Sequence, residues 1–155
     1  MVIKMIKLIF AMVFLFISFT AQAAGIGNIF GALMGRSGSP GQETTVDEAL
    51  VKVSSQINKK MPILVDNETR LDRVSAEPGP QFIYHYTLLS VSSKDVNSEE
   101  FYKLAKPQLK SRLCGNTEMQ SFLKSGVSIS YMYRGSDGRA IGGVKFAPSE
   151  CGYKS

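Results

Sequence analysis

The sequence predicts an α+β domain, an antiparallel sheet of about four strands from two hairpins with three helices packed on one face. Three observations predict it. Helix-like and strand-like segments follow in the order α-β-β-α-α-β-β, in runs of each class. Each pair of strand-like segments is separated by tight-turn residues, Pro78-Gly79-Pro80 and Asp137-Gly138. The helical segments are apolar along one stripe only, so each has a single face to bury.

Ahead of this domain stand two segments of different character. Lys4 and Lys7 form a positive start, Leu8 to Phe19 is apolar except for Ser18, and Ala21-Gln22-Ala23 precedes Ala24. These are the three parts of a secretory signal peptide over residues 1–23, with cleavage between Ala23 and Ala24. The apolar run is shorter than the ~20 residues that cross a bilayer. No cysteine stands at the cleavage site, so a lipid anchor is not expected. The alternative is an uncleaved helix that also draws on the apolar residues up to Met34 and holds the protein in the membrane through residues 8–34. Losing Lys4 and Lys7 with the signal lowers the net charge from +5 to +3. The basic residues left are scattered among acids, which does not suit nucleic acid.

Residues 24–45 form a leader rich in glycine, which opposes helix in water. Yet Ile26, Ile29, Phe30, Leu33 and Met34 fall at i, i+3, i+4, i+7 and i+8, one apolar stripe if the segment is helical. This leader is either a loose linker or a short peptide that docks on a partner groove or touches a bilayer through 24–35.

The domain proper is placed at 46–155. Thr45-Val46-Asp47-Glu48 reads as a capping box, and Val46, Ala49, Leu50, Val53 and Ile57 give a helix over 46–60, stopped by Pro62. Ile63-Leu64-Val65 is a short apolar patch before an Asp66-Asn67 turn. Thr69 to Ala76 has strand character, and Gln81 to Ser92 is apolar on both faces, as in a central strand. A second helix opens near Asn97, carries Phe101, Leu104, Ala105, Leu109 and Leu113, and contains Pro107. Asn116 or Thr117 caps a short third helix through Lys124, with Met119, Phe122 and Leu123 inward. Val127 to Arg134 alternates as a half-buried strand, and Ala140 to Phe146 returns as its hairpin partner.

Export gives the two cysteines a meaning. Cys114 and Cys151 are the only partners for an intramolecular disulfide, and their loop is worth ~4 kcal/mol in the chain-entropy picture. One His and two Cys exclude a multi-His or multi-Cys metal centre, and no cofactor motif stands out. His85 is the only imidazole, and no nucleophile-elbow pattern accompanies it. A polar candidate site gathers Asp66, Arg70, Asp72 and His85. The carboxylates are spaced for acid/base work, but the calcium-loop pattern fails at Arg70. Tyr84, Tyr86, Tyr131 and Tyr133 form two i, i+2 pairs, a stripe across paired strands.

The stretch Asn58-Lys59-Lys60-Met61-Pro62-Ile63-Leu64-Val65-Asp66-Asn67-Glu68-Thr69-Arg70-Leu71-Asp72 carries a resemblance, together with Pro78-Gly79, Tyr84-His85-Tyr86-Thr87-Leu88 and Tyr131-Met132-Tyr133-Arg134. Over about residues 46–146 the chain resembles a widespread group of small exported bacterial domains without an assigned activity. The resemblance implies a bacterial envelope setting, periplasmic or secreted. Many members of the group carry Cys where Met61 stands.

The functional expectation is a non-enzymatic envelope protein that binds another envelope protein as an assembly factor, inhibitor or immunity-type partner. Ile26, Ile29, Phe30, Leu33 and Met34 are its candidate contact residues. The rivals are the anchored form and a small hydrolase that uses His85.

Overall fold

The computed structural model describes residues 26–35 and 45–154. The signal peptide expected at 1–23, the cleavage residues Ala21, Ala23 and Ala24, and the linker 36–44 lie outside the described residues. The leader stripe is helical, as α1 (Ile26–Gly35), and the domain opens with α2 (Val46–Asn58). The capping box forms as its spacing predicts. The Glu48 N–H donates to Thr45 Oγ1 at 3.2 Å, and the Thr45 N–H donates to Glu48 Oε2 at 3.1 Å. Ala49, Leu50 and Val53 form the buried face of α2.

Five strands make one sheet in chain order: β1 (Ile63–Leu64), β2 (Thr69–Glu77), β3 (Gln81–Leu88), β4 (Ser128–Arg134) and β5 (Ala140–Phe146). Two expectations are corrected here. The patch after Pro62 is a fifth, edge strand, with Ile63 opposite Leu71 and Leu64 opposite Arg70. The sheet is also mixed rather than antiparallel, because β3 and β4 run side by side in the same direction. The connection explains this. Between them lie α3 (Ser98–Gly115) and α4 (Gln120–Lys124), and a crossover through helices returns the chain in the direction in which it left. The two hairpins are present, β2–β3 and β4–β5. With α1, the helices number four among the described residues, one more than the three expected.

Asn97 caps α3 by accepting from the Glu99 and Glu100 N–H groups, and α3 runs through Pro107. Asn116 accepts from the Glu118 N–H at the turn Thr117–Met119 that leads into α4. Cys114 at the end of α3 is bonded to Cys151 beyond β5, with Cα atoms 5.2 Å apart. One face of the sheet holds the core. Val74, Phe82, Tyr84, Ile129, Val144 and Phe146 meet Leu50 and Val53 of α2, Leu113 of α3 and Phe122 and Leu123 of α4. A smaller cluster of Leu88, Phe101 and Ile141 seals the other end.

Beyond β1, a side chain completes the edge of β2. Asn58 Nδ2 donates to the Val74 carbonyl and Asn58 Oδ1 accepts from the Val74 N–H, both at 2.8 Å. The amide thus stands in for a strand residue where β1 has stopped.

Candidate functional site

Three places in the molecule bring chemistry-bearing or recognition residues together. The first is the groove that holds α1. The helix packs against α2, the turn Thr117–Met119 and α4. Phe30 is fully buried and stacks on Phe122, ring centroids 4.3 Å apart. Ile29, Leu33 and Met34 lie half-buried against the same core. Gly27 is the point of closest approach, since a Cβ there would sit 2.2 Å from the Glu118 carbonyl oxygen. Ser121 Oγ donates to the Gly27 carbonyl at 3.3 Å. The stripe expected to meet a partner therefore meets the chain's own domain. Phe122, Ser121 and Glu118 are the receiving residues, and sequence reasoning placed only Phe122 on an inward face.

The second place is the sheet face opposite the helices. Asp72 sits in a bulge of β2, where its carboxylate accepts from Arg70 Nε at 2.6 Å and from Thr87 Oγ1 at 2.5 Å. His85 lies one row along, its Nε2 2.8 Å from Ser75 Oγ. Three of the four polar candidates, Arg70, Asp72 and His85, thus share this face. Asp66 does not join them, because its Oδ1 accepts from the Glu68 N–H at 2.7 Å and shapes the turn before β2. Burial, then Arg73 and Arg134, hold the His85 pKa below the ordinary imidazole value, and Glu77 and Asp72 oppose them. Asp72 is engaged by Arg70 and Thr87, so it does not orient the imidazole as a triad acid does. Ser75 went unnoticed in the sequence and Thr87 stood there only as a strand residue near His85, since only strand register shows which hydroxyl stands beside a given side chain.

The third is the tyrosine stripe, which is inside. Tyr84 stacks on Tyr131 at 5.5 Å and Tyr86 on Tyr133 at 5.2 Å across the parallel strands. Tyr84 donates its hydroxyl to Met119 Sδ at 3.6 Å. Burial pushes the Tyr131 phenol up to about 12 and raises the other three as well, so all four stay neutral hydrogen-bonding groups. Through Phe82 and Phe122 this ladder continues to Phe30, so α1 caps one end of an aromatic spine.

A five-stranded mixed sheet with helices on one face and a helix seated in an apolar groove defines a small α+β domain. The model of a family described as a domain of unknown function, DUF8479, matches residues 44–141, and the chain belongs to this family. No curated protein matches it. Among solved structures, it is similar to a Pseudomonas aeruginosa protein described as secreted, at 18% identity and a TM-score of 0.56 over 68% of this chain and 91% of that one. It is also similar to EpsS, a pilotin of the Vibrio vulnificus type 2 secretion system, at 13% identity and a TM-score of 0.53, covering 70% of this chain and 93% of that one. AspS, the type II secretion pilotin of Vibrio cholerae, aligns at 15% identity and a TM-score of 0.50, covering 68% and 91%. At these identities the likeness establishes the fold.

Proposed function

We propose that the chain is an exported bacterial envelope protein, periplasmic or secreted, that binds another envelope protein without catalysis. The observation that carries this reading is the seating of α1. The family match begins at residue 44, so Glu118, Ser121 and Phe122 belong to the family domain while α1 lies ahead of it. The domain therefore offers a groove that accepts an amphipathic helix from outside itself. A partner helix fits such a groove by the same physics, through anchors at i, i+3, i+4 and i+7. A ten-residue helix with three glycines does not persist alone in water, so α1 is helical because it is seated. Its exchange for a partner helix is the proposed binding event, and an assembly factor, inhibitor or immunity-type protein would all use it. Two pilotins among the similar folds agree with a helper role in the envelope.

The test is competitive capture. The full exported protein and its Phe30→Ala variant, which loosens α1, are immobilised and exposed to envelope extract. The same envelope protein is expected on both, in larger amount on Phe30→Ala, and released by a synthetic peptide of residues 26–35. Capture of nothing, or of species that the peptide does not displace, contradicts the reading.

One observation favours a second reading. The Ser75–His85 pair has the two groups of a hydrolytic dyad within hydrogen-bond reach. It predicts that His85→Ala keeps its fold but abolishes ester turnover, and equal rates for the two proteins end it. The membrane-anchored reading through residues 8–34 would have to draw on residues 8–25, which lie outside the described residues, since 26–34 is seated on the domain. Among the described residues no helix is long and apolar enough to cross a membrane.

A further inference from the structure

We infer that the sheet face opposite the described helices is a second docking surface, which takes an extended acidic segment of a partner protein on the exposed Arg73 and Arg134. The helices all lie on the core side, and no described helix covers this face. Arg73 on β2 stands directly opposite His85, and Arg134 on β4 stands opposite Thr87, two residues further along β3. Both arginines are exposed, and no ion pair among the described residues includes either. Of the carboxylates that act on His85, Asp72 is already held by Arg70 and Thr87, and Glu77, at the far end of β2, is in no ion pair with either arginine. Met132, 39% exposed, lies between them beside His85 and adds a soft apolar surface.

Two guanidiniums held outside any ion pair, on either side of a half-buried imidazole, add little to the fold. They repel any proton that arrives on His85, and they leave a positive field over a flat face. An acidic ligand reverses both effects, and guanidinium is the cation best shaped for carboxylates. Strand spacing and rise put the two arginine backbones about 12 Å apart, which an extended segment spans with carboxylates three to four residues apart. This surface is separate from the α1 groove, so its test leaves the groove reading untouched.

The chain has one histidine, so its ring C2–H resonance is an isolated reporter at the centre of the proposed site. The groups that face it are Ser75, Asp72, Glu77 and Arg73 from β2 and Met132 and Arg134 from β4. The folded, disulfide-bonded protein is titrated with hexaglutamate under proton NMR. A saturable shift of the His85 resonance is expected, with its pKa raised toward the ordinary value as carboxylates offset Arg73 and Arg134. Affinity falls as salt rises from ~50 to ~200 mM, by screening. Arg73→Gln with Arg134→Gln lowers affinity by about tenfold or more. Either single variant, at an exposed position, gives the same sign should the double variant fold poorly. No saturable shift, or a shift of equal affinity in the variants, overturns the inference. A response to phosphatidylglycerol vesicles without one to hexaglutamate also overturns it, since the surface would then read lipid headgroups.

Discussion

Asp137 ties the β4–β5 hairpin tip to the loop after β3. It accepts from the Ser93 hydroxyl at 2.7 Å and the Ser92 hydroxyl at 3.1 Å, and from the N–H groups of Ser93 and Arg139 at 3.3 and 3.2 Å. The Ser93 hydroxyl first, and then these other donors, hold its carboxyl down at about 2. The folded pKa lies below the unfolded one, so the tie is fully present above pH ~4 and is lost as pH falls toward 2. Asp137→Asn is expected to lower the thermal midpoint at pH 6, with the gap from the parent closing between pH 4 and 2 in melts across that range. Gly135 belongs to the same contact, since a Cβ there would lie 2.3 Å from the Ser93 amide nitrogen. Asn58 is the second residue on which much rests. Asn58→Ala removes both bonds to the buried backbone of Val74 and should cost about 2–3 kcal/mol, read from urea midpoints at constant slope. In sequence, Asp137 was legible as a turn residue and Asn58 as part of a motif. Their partners, 44 and 16 positions away in the chain, were not, because nothing local encodes which loop or strand a side chain will reach.

Among the elements, α1 depends most on a single contact. Gly27→Ala drives a methyl group into the Glu118 carbonyl, and backbone cannot step aside as a flexible side chain does. Gly31 is exposed, with open space around it, so Gly31→Ala should add about 0.5–1 kcal/mol of helix propensity without harm. Hydrogen exchange over 26–35 should therefore speed up in Gly27→Ala and slow in Gly31→Ala. Equal rates in the two variants would show that α1 is not held by this approach. The 3.6-residue spacing of Ile26 to Met34 showed the stripe that a helix would present, because periodicity is a property of the segment, while its glycines left a loose linker open as well. Its destination was not readable, because a stripe of this kind fits any apolar groove. The same limit applied to the sheet. Alternation gave β2 to β5 within a few residues, while the direction of β4 beside β3 is set by the helical crossover. The two-residue β1 is too short for any alternation to show.

At the scale of the molecule, one aromatic spine runs from Phe30 through Phe122, Phe82 and Tyr84 to Tyr131, and the disulfide pins the end of α3 to the tail beyond β5. Replacing Cys114 and Cys151 by Ser should cost about 2–4 kcal/mol in chemical denaturation, through the freedom regained by the unfolded chain. The Cys pairing followed from counting, since two cysteines leave one choice of intramolecular bridge. The groove that α1 fills had no such arithmetic, because Glu118, Ser121 and Phe122 line it only once α2, the turn Thr117–Met119 and α4 are folded around α1. The proposed function rests on that groove. The most direct measurement is photocrosslinking in cells from a benzoylphenylalanine placed at Ser121, in the parent protein and in Phe30→Ala. The expected result is crosslinking to residues 26–35 in the parent, and to one discrete envelope protein with a stronger yield once Phe30 is gone. Crosslinks that stay within the chain in both proteins would contradict partner binding at this groove.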